Sequence, residues 1–374
     1  MSKIKVAVFF TYDYTVGTLK TSGLFEREMK IYDVLAKKYD IEFIFFTYDE
    51  ILNSKDFGYK NFQFYPIYKF AKRFENKTIR LFYSFFIPFK INKQLIGVDL
   101  IHQHQLLGSW VPLILKYLQN IPLLVRTGYD AYAFSIESND KKLKIFFYKI
   151  LTKVTLRYSE IYTVTSFSDL SFLKKYFPTE NVKVVPNWIE KTSNIHTKKK
   201  RNNILMVGRL ESQKNYPLAF ELIKSLNGEF ELDIYGSGSK KEYLSLLSNK
   251  EGLKVNFLEN ISHSELLKTY GKYKYFLSTS KFEGNPKTIL EAINNKCIVF
   301  ATDISNHAEI ISNGFNGYLY SNLNDLVEKF DNVKNKPNLQ NNISINCEAS
   351  LANNQIDKVI EKMYQDYELL ISFK

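Results

Sequence analysis

The chain has 374 residues, too many for one ordinary α/β core at roughly 100 to 200 residues per domain, so two domains of similar size are expected. Its 45% apolar and 24% charged residues describe a globular protein and exclude disorder. The formal charge of +12 suits a binder of nucleic acid or of an anionic membrane, but the bias toward Asn, Ile, Phe, Tyr and Lys is also what A/T-rich coding DNA produces, so charge alone selects no partner. Cys297 and Cys347 form no disulfide framework and lack zinc-site spacing, which points to a reducing, cytoplasmic compartment.

The first apolar run, over 6–10, is far short of the roughly 18 residues that span a bilayer and reads as a strand rather than a signal peptide. A helix over 24–37 and a strand over 42–46 follow, and this rhythm predicts a parallel sheet. Further strands are expected at 100–102, 123–126, 161–165 and 182–185. The stretch 189–202 carries Lys198, Lys199, Lys200 and Arg201 with few apolar residues and reads as a linker between a domain over 1–188 and one over 203–352. There the alternation restarts, with strands at 204–207, 230–235, 255–257, 275–277, 298–301 and 317–319. Helices are expected at 217–226, 240–247, 264–270 and 286–294. The segment 353–374 has one apolar helical face and is expected to pack back across the domains. The fold class is α/β, with two Rossmann-like domains whose parallel sheets face across a deep cleft, where ligands collect.

Residues 278–291 read STSKFEGNPKTILE, a strand end, a tight loop and a helix. Gly284 eases the turn, Asn285 is expected as the N-cap and Pro286 as the first helical residue. The backbone N–H groups of Lys287 and Thr288, with the helix dipole, then form a phosphate seat. Glu283 and Glu291 bracket seven residues. At about 1.5 Å per helical residue their carboxylates stand roughly 8 to 12 Å apart, about the reach of a diphosphate, so that one can accept from sugar hydroxyls and the other from a ribose. Upstream, ILMVGRLESQKN runs a strand into Gly208, followed by Arg209 and Lys214. A guanidinium fork and an ammonium at a strand's C-terminal end can neutralise a diphosphate and the charge that builds on it as a glycosidic bond breaks. The chain has no Asp-x-Asp pair to bridge a divalent ion, so no metal and no cofactor is expected, and the two cations with the helix start take the metal's place.

With these segments, YGSGS at 235–239, ATDISNHAEIISNGFNGYLY at 301–320, DLIHQHQ at 99–105 and VKVVPNWIE at 182–190 resemble the retaining glycosyltransferases of family 4, the group 1 type with the GT-B fold shared with glycogen phosphorylase. The resemblance covers nearly the whole chain. It implies an N-terminal acceptor domain and a C-terminal nucleotide-sugar domain. It implies that Arg209 and Lys214 bind the donor diphosphate, that Glu283 holds the transferred sugar and Glu291 the ribose, and that Gly236 and Gly238 line the nucleotide pocket. The third glycine of a dinucleotide fingerprint is missing, which speaks against hydride chemistry. The implied donor is a nucleotide diphosphate sugar, UDP-sugar ahead of GDP-sugar. The implied acceptor is a glycan or lipid-linked glycan of bacterial capsule, O-antigen or lipooligosaccharide.

Two places depart from the family. Only Gly17 and Gly23 stand where many relatives carry a Gly-Gly pair, and RTGYD at 126–130 stands where many carry a histidine. Gly128 and Asp130 are the acceptor-side candidates there, Asp130 equally reading as an N-cap. His102 and His104 are expected to be structural.

Residues 68–95 hold seven Lys or Arg against one acid among eight aromatics, and 141–157 hold six basic residues and no acid. Such segments suit an anionic membrane surface, so a peripheral position on the inner face of the plasma membrane is expected. No recognition-helix, RNP-like or zinc-finger pattern accompanies them, so nucleic acid is not an expected partner. The competing readings are a basic nucleic-acid- or membrane-binding protein, a GT-B epimerase or hydrolase, and a catalytically silent GT-B scaffold.

Overall fold

The computed structural model describes residues 3–52, 57–190 and 200–372, so most of the expected linker, 191–199, lies outside the described residues. The chain divides into two compact units, Met1–Val185 with Asp357–Lys374, and Pro186–Ile356.

The first unit is built on β1 (Ile4–Phe9), β2 (Ile41–Thr47), β3 (Phe62–Pro66), β4 (Leu100–His104), β5 (Leu123–Arg126), β6 (Ile161–Val164) and β7 (Val182–Val184). They form one parallel sheet in the order β3-β2-β1-β4-β5-β6-β7. Its inner strands are buried on both faces, as in a sheet covered by helices on both sides, and mostly apolar, although the central β4 also buries His102 and Gln103. Strand β3 escapes the sequence reading because it is an edge strand that alternates: Phe62 and Phe64 are buried, Gln63 is exposed, and Pro66 ends it. The helices are α1 (Val16–Thr21), α2 (Phe25–Tyr39), α3 (Lys77–Tyr83), α4 (Ile87–Ile91), α5 (Trp110–Gln119), α6 (Ala131–Glu137), α7 (Lys142–Tyr158) and α8 (Phe167–Tyr176).

The second unit holds β8 (Lys200–Val207), β9 (Glu231–Tyr235), β10 (Val255–Leu258), β11 (Tyr273–Ser278), β12 (Ile298–Thr302) and β13 (Tyr318–Tyr320), parallel in the order β10-β9-β8-β11-β12-β13. Strand β8 starts earlier than its apolar run, because Lys200 and Asn203 also pair in the sheet. Helices α9 (Tyr216–Ser225), α10 (Lys241–Lys250), α11 (His263–Tyr270), α12 (Lys287–Asn294), α13 (Ser305–Ala308), α14 (Leu323–Lys334) and α15 (Pro337–Ser350) flank it. Counted within the unit, the strand order is the doubly wound 3-2-1-4-5-6. It reverses between β8 and β11, a topological switch point of the kind at which open α/β sheets bind ligands beyond the carboxyl ends of the strands.

The last helix, α16 (Ile356–Ser372), belongs to the first unit. It buries Val359, Ile360, Met363, Tyr367 and Leu370. The Tyr367 hydroxyl meets His102 Nδ1 at 2.6 Å, Asp366 pairs with Lys183, and Tyr364 stacks on Tyr39 at 3.8 Å.

Candidate functional site

Strand β8 delivers Gly208 and Arg209 to the switch point of the second unit. The loop beyond Arg209 closes in a short 3-10 turn over Ser212–Lys214, and Asn215, with φ 49°, turns the chain into α9, a left-handed conformation that Asn tolerates. The neighbouring strand β11 delivers Ser278, Thr279 and Ser280, and beyond them Glu283.

The two loops are clasped together. Gln213 Nε2 donates to the Phe282 carbonyl at 2.8 Å, the Lys281 N–H to the Gln213 carbonyl at 2.9 Å, and the Thr279 hydroxyl to the Lys214 carbonyl at 2.6 Å. At the centre of the clasp the Lys214 ammonium pairs with Glu283 Oε1. Burial raises the Glu283 carboxyl, but Lys214, the Ser280 hydroxyl and His307 outweigh it and hold the group below the ordinary carboxylate range. Glu283 is therefore an anion, able only to accept. Arg209 is exposed, and its guanidinium makes a 3.4 Å contact to Gln213 Oε1.

The glycines of YGSGS have a packing reason. A Cβ on Gly236 would stand 1.9 Å from the Gly208 carbonyl oxygen, and one on Gly238 would stand 2.5 Å from that of Leu210. Both glycines let the β9 loop lie against the β8 loop, where the Leu210 N–H donates to the Ser237 carbonyl at 2.9 Å. Glu211 locks the same contact by accepting from the Ser239 N–H and hydroxyl, each at 2.8 Å.

The start of α12 corrects one expectation. The N-cap position is Pro286, with no side-chain cap, and Lys287 is the first helical residue. Asn285 does not cap because it is engaged elsewhere: its Oδ1 accepts from the Asn187 N–H at 3.2 Å, and its carbonyl accepts from Asn187 Nδ2 at 2.6 Å. Gly284 is buried without a left-handed φ, so its freedom to turn is not what the loop uses. The N–H groups of Ile289 and Leu290 return to the Pro286 carbonyl, and that of Thr288 heads the open first turn, where a helix attracts anions. Lys287 extends its ammonium over the Trp188 ring at 6.0 Å.

Glu291 lies within α12, buried, and its Oε1 meets His263 Nε2 at 2.9 Å. His263, the first residue of α11, was not among the expected site residues. The signal available was its place directly after Ser262, whose capping box with Glu265 fixes the helix start. Also unforeseen is His307, fully buried within α13, which feels the charges of both Glu283 and Lys214.

The acceptor-side candidates lie in the first unit. Gly17 sits inside α1 and Gly23 turns the chain after it with φ 69°. The Gly128 N–H donates to Gln105 Oε1 at 3.0 Å. Asp130 caps α6, accepting from the Ala133 N–H at 2.7 Å, while its other carboxylate oxygen has no partner among the described residues. Burial pushes this carboxyl up to about 6, against the pull of the backbone donors Ala133 and Tyr132. His102 is buried against Tyr367, and His104 lies between Glu28 and Tyr32.

Among the described residues no group of three His, Cys, Asp or Glu is arranged to hold a metal, and no helix is long and apolar enough to cross a membrane.

Residues 189–349 match the family model of glycosyl transferases group 1. Over 249 residues, 61% of this chain and 66% of the relative, the sequence is 28% identical to the capsular polysaccharide biosynthesis glycosyltransferase CapH of Staphylococcus aureus. Over 93% of this chain and 96% of the relative it is 22% identical to a Campylobacter jejuni enzyme, the GalNAc-alpha-(1->4)-GalNAc-alpha-(1->3)-diNAcBac-PP-undecaprenol alpha-1,4-N-acetyl-D-galactosaminyltransferase. In fold it resembles Anabaena HepE in complex with UDP-glucose, with a TM-score of 0.76 at 14% identity, covering 98% of this chain and 99% of HepE. The chain is thus a glycosyltransferase of GT-B architecture, with its group 1 match lying over the unit that carries Arg209, Lys214, Glu283 and Glu291.

Proposed function

We propose that the enzyme transfers a sugar, with retention of anomeric configuration and without a metal, from a UDP-sugar to a lipid-linked or surface glycan. The observation that carries the donor assignment is the clasp of the β8 and β11 loops at the switch point. It gathers two cations, one ionised carboxylate and the open turn of α12 in one place. A polyol diphosphate needs that combination: cations and N–H groups for its phosphates, an acceptor for its hydroxyls. Lys214 has three N–H donors, so it can keep Glu283 on one and take a phosphate oxygen on another. Arg209 adds a bidentate fork, and Glu291, steadied by His263, takes the ribose hydroxyls. UDP is favoured over GDP as the nucleotide because the solved neighbour HepE holds UDP-glucose.

In the proposed step the acceptor hydroxyl attacks the anomeric carbon from the face of the leaving group. The bond from that carbon to the diphosphate oxygen breaks, and the hydroxyl proton passes to the departing phosphate, releasing the nucleoside diphosphate. No side chain has to act as base. Arg209 and Lys214 act by stabilising the charge that grows on the diphosphate.

The acceptor reading rests on the first unit. Its basic aromatic segments turn several apolar side chains outward: the rings of Phe82, Phe86 and Phe146 are 68%, 59% and 60% exposed, and Leu143 is 80% exposed. The inward positions are taken by Arg80, Ser84, Ile87 and Ile91 in one segment and by Leu151 and Leu156 in the other. The segments meet at Trp110, which stacks on Phe85 at 5.4 Å and meets Phe147 edge-on at 6.4 Å. Exposed rings among Lys90, Lys142, Lys144, Lys149 and Lys153 suit an anionic bilayer, where a lipid-linked glycan such as that named for the Campylobacter relative resides.

The test is a thermal-shift screen of UDP, GDP and their sugars, followed by NMR of the product formed from the donor that binds. A UDP-sugar shift and an α-linked product from an α-linked donor support the reading. An inverted product, or a requirement for a divalent ion, contradicts it.

A further inference from the structure

His307 is fully buried, and its ring is fixed from one side. Nδ1 lies 2.8 Å from the Thr302 carbonyl oxygen, which can only accept, so Nδ1 carries the proton. In the neutral ring that leaves Nε2 as a lone-pair acceptor. It is buried and has no partner among the described residues. A buried acceptor without a donor is costly to the fold, and a bound ligand is one way to supply that donor.

The ring's surroundings say which ligand. The Thr302 hydroxyl donates to the Ser280 carbonyl at 2.6 Å, the Ser280 hydroxyl bonds Glu283, and Glu283 pairs with Lys214. His307 lies close enough for the charges of Glu283 and Lys214 to act on it, with Asp303 contributing more weakly. Two acceptors, one anionic and one neutral, thus stand beside a single cation. A phosphate oxygen cannot satisfy Nε2, because both are acceptors. A sugar hydroxyl or the N–H of an acetamido group can.

We propose that His307 is a specificity-determining residue whose Nε2 accepts a hydrogen bond from a hydroxyl or amide N–H of the transferred sugar, while leaving the nucleotide untouched. This rests on the donor site described above. It assigns to His307 a share of the selection among nucleotide sugars, in favour of those presenting a donor at that position.

The test compares calorimetric affinities for UDP, UDP-glucose and UDP-N-acetylglucosamine, with GDP and GDP-mannose alongside, in wild type, His307→Asn and His307→Gln. Asn keeps an N–H near Nδ1 for Thr302 but has no atom at Nε2, whereas Gln restores an acceptor there. For the sugar nucleotide that the wild type binds, His307→Asn is expected to weaken affinity about tenfold, with the free nucleoside diphosphate unchanged within twofold and Gln recovering most of the loss. Equal losses for nucleotide and sugar nucleotide, or no loss at all, overturn this assignment alone. A wild type that binds none of the five ligands overturns the donor site and this assignment with it. Should the variants fail to fold, 15N NMR of the wild-type imidazole decides: the Nε2 resonance shifts with sugar nucleotide and not with the diphosphate, and an unmoved resonance contradicts the proposal.

Discussion

Lys214 and Glu283 stand 69 residues apart in sequence and form an ion pair because the strands that precede them, β8 and β11, are neighbours in the sheet. Both side chains are largely withdrawn from water, which makes the pair a structural element as well as a piece of the donor site.

Those two roles separate by mutation. Lys214→Met leaves the buried carboxylate without its cation, so the protein is expected to lose about 3 kcal/mol of stability and turnover to fall about 100-fold or more. Adding Glu283→Gln removes the stranded charge, and the double variant should recover most of the stability and none of the turnover. Chemical denaturation and initial rates check the two readouts, and a double variant with restored turnover contradicts the assignment.

The glycines divide the same way. Gly236→Ala and Gly238→Ala drive a Cβ into backbone at 1.9 and 2.5 Å, and each should cost about 2 kcal/mol or more. Gly17→Ala, inside α1 with nothing nearer than Thr15 Oγ1 at 3.5 Å, should be neutral or stabilise by up to about 1 kcal/mol. Urea midpoints across the three variants test this ranking.

Asp130 and His307 give stability opposite slopes over nearly one pH window. The Asp130 carboxyl rises from 3.8 to about 6 on folding, so its contribution is full below pH 3.8 and lost as pH climbs through 6. The His307 imidazole falls from 6.5 to about 4, so its contribution is full above pH 6.5 and lost as pH drops through 4. Each shift is worth about 3 kcal/mol at ~1.4 kcal/mol per unit, and the two largely cancel in the wild type. Asp130→Asn keeps the N-cap and removes one slope, so its melting temperature should exceed that of the wild type at pH 7 by several degrees and converge on it near pH 4. A constant difference across the range contradicts the linkage.

Replacing Phe82, Phe86 and Phe146 together by Ser removes exposed rings without touching the core, so melting should hardly change. Flotation with vesicles containing about 30% anionic phospholipid should fall at least fivefold, and wild-type flotation should weaken in high salt. Equal flotation of the two proteins, or flotation with neutral vesicles alone, contradicts the docking face.

Much of this was legible in the sequence where short-range chemistry decides. All the strands but β3 announce themselves as apolar runs between helices, and the Arg209, Lys214, Glu283 and Glu291 segments carry their own spacing. What escaped is set by partners distant in sequence. Asn285 looks like an N-cap until Asn187, 98 residues away, takes its amide. His263 and His307 carry no motif of their own, and only tertiary structure sets one on Glu291 and the other beside Glu283. Strand β3 is hidden by the polar alternation proper to an edge.

The central claim is that a diphosphate rests on the cations at the end of β8. Titration calorimetry of UDP and uridine against wild type and Arg209→Ala tests it most directly. UDP should bind the variant at least tenfold more weakly than the wild type, while uridine, lacking phosphate, binds both alike. Equal UDP affinity in the two proteins, or no UDP binding by the wild type, would contradict the account.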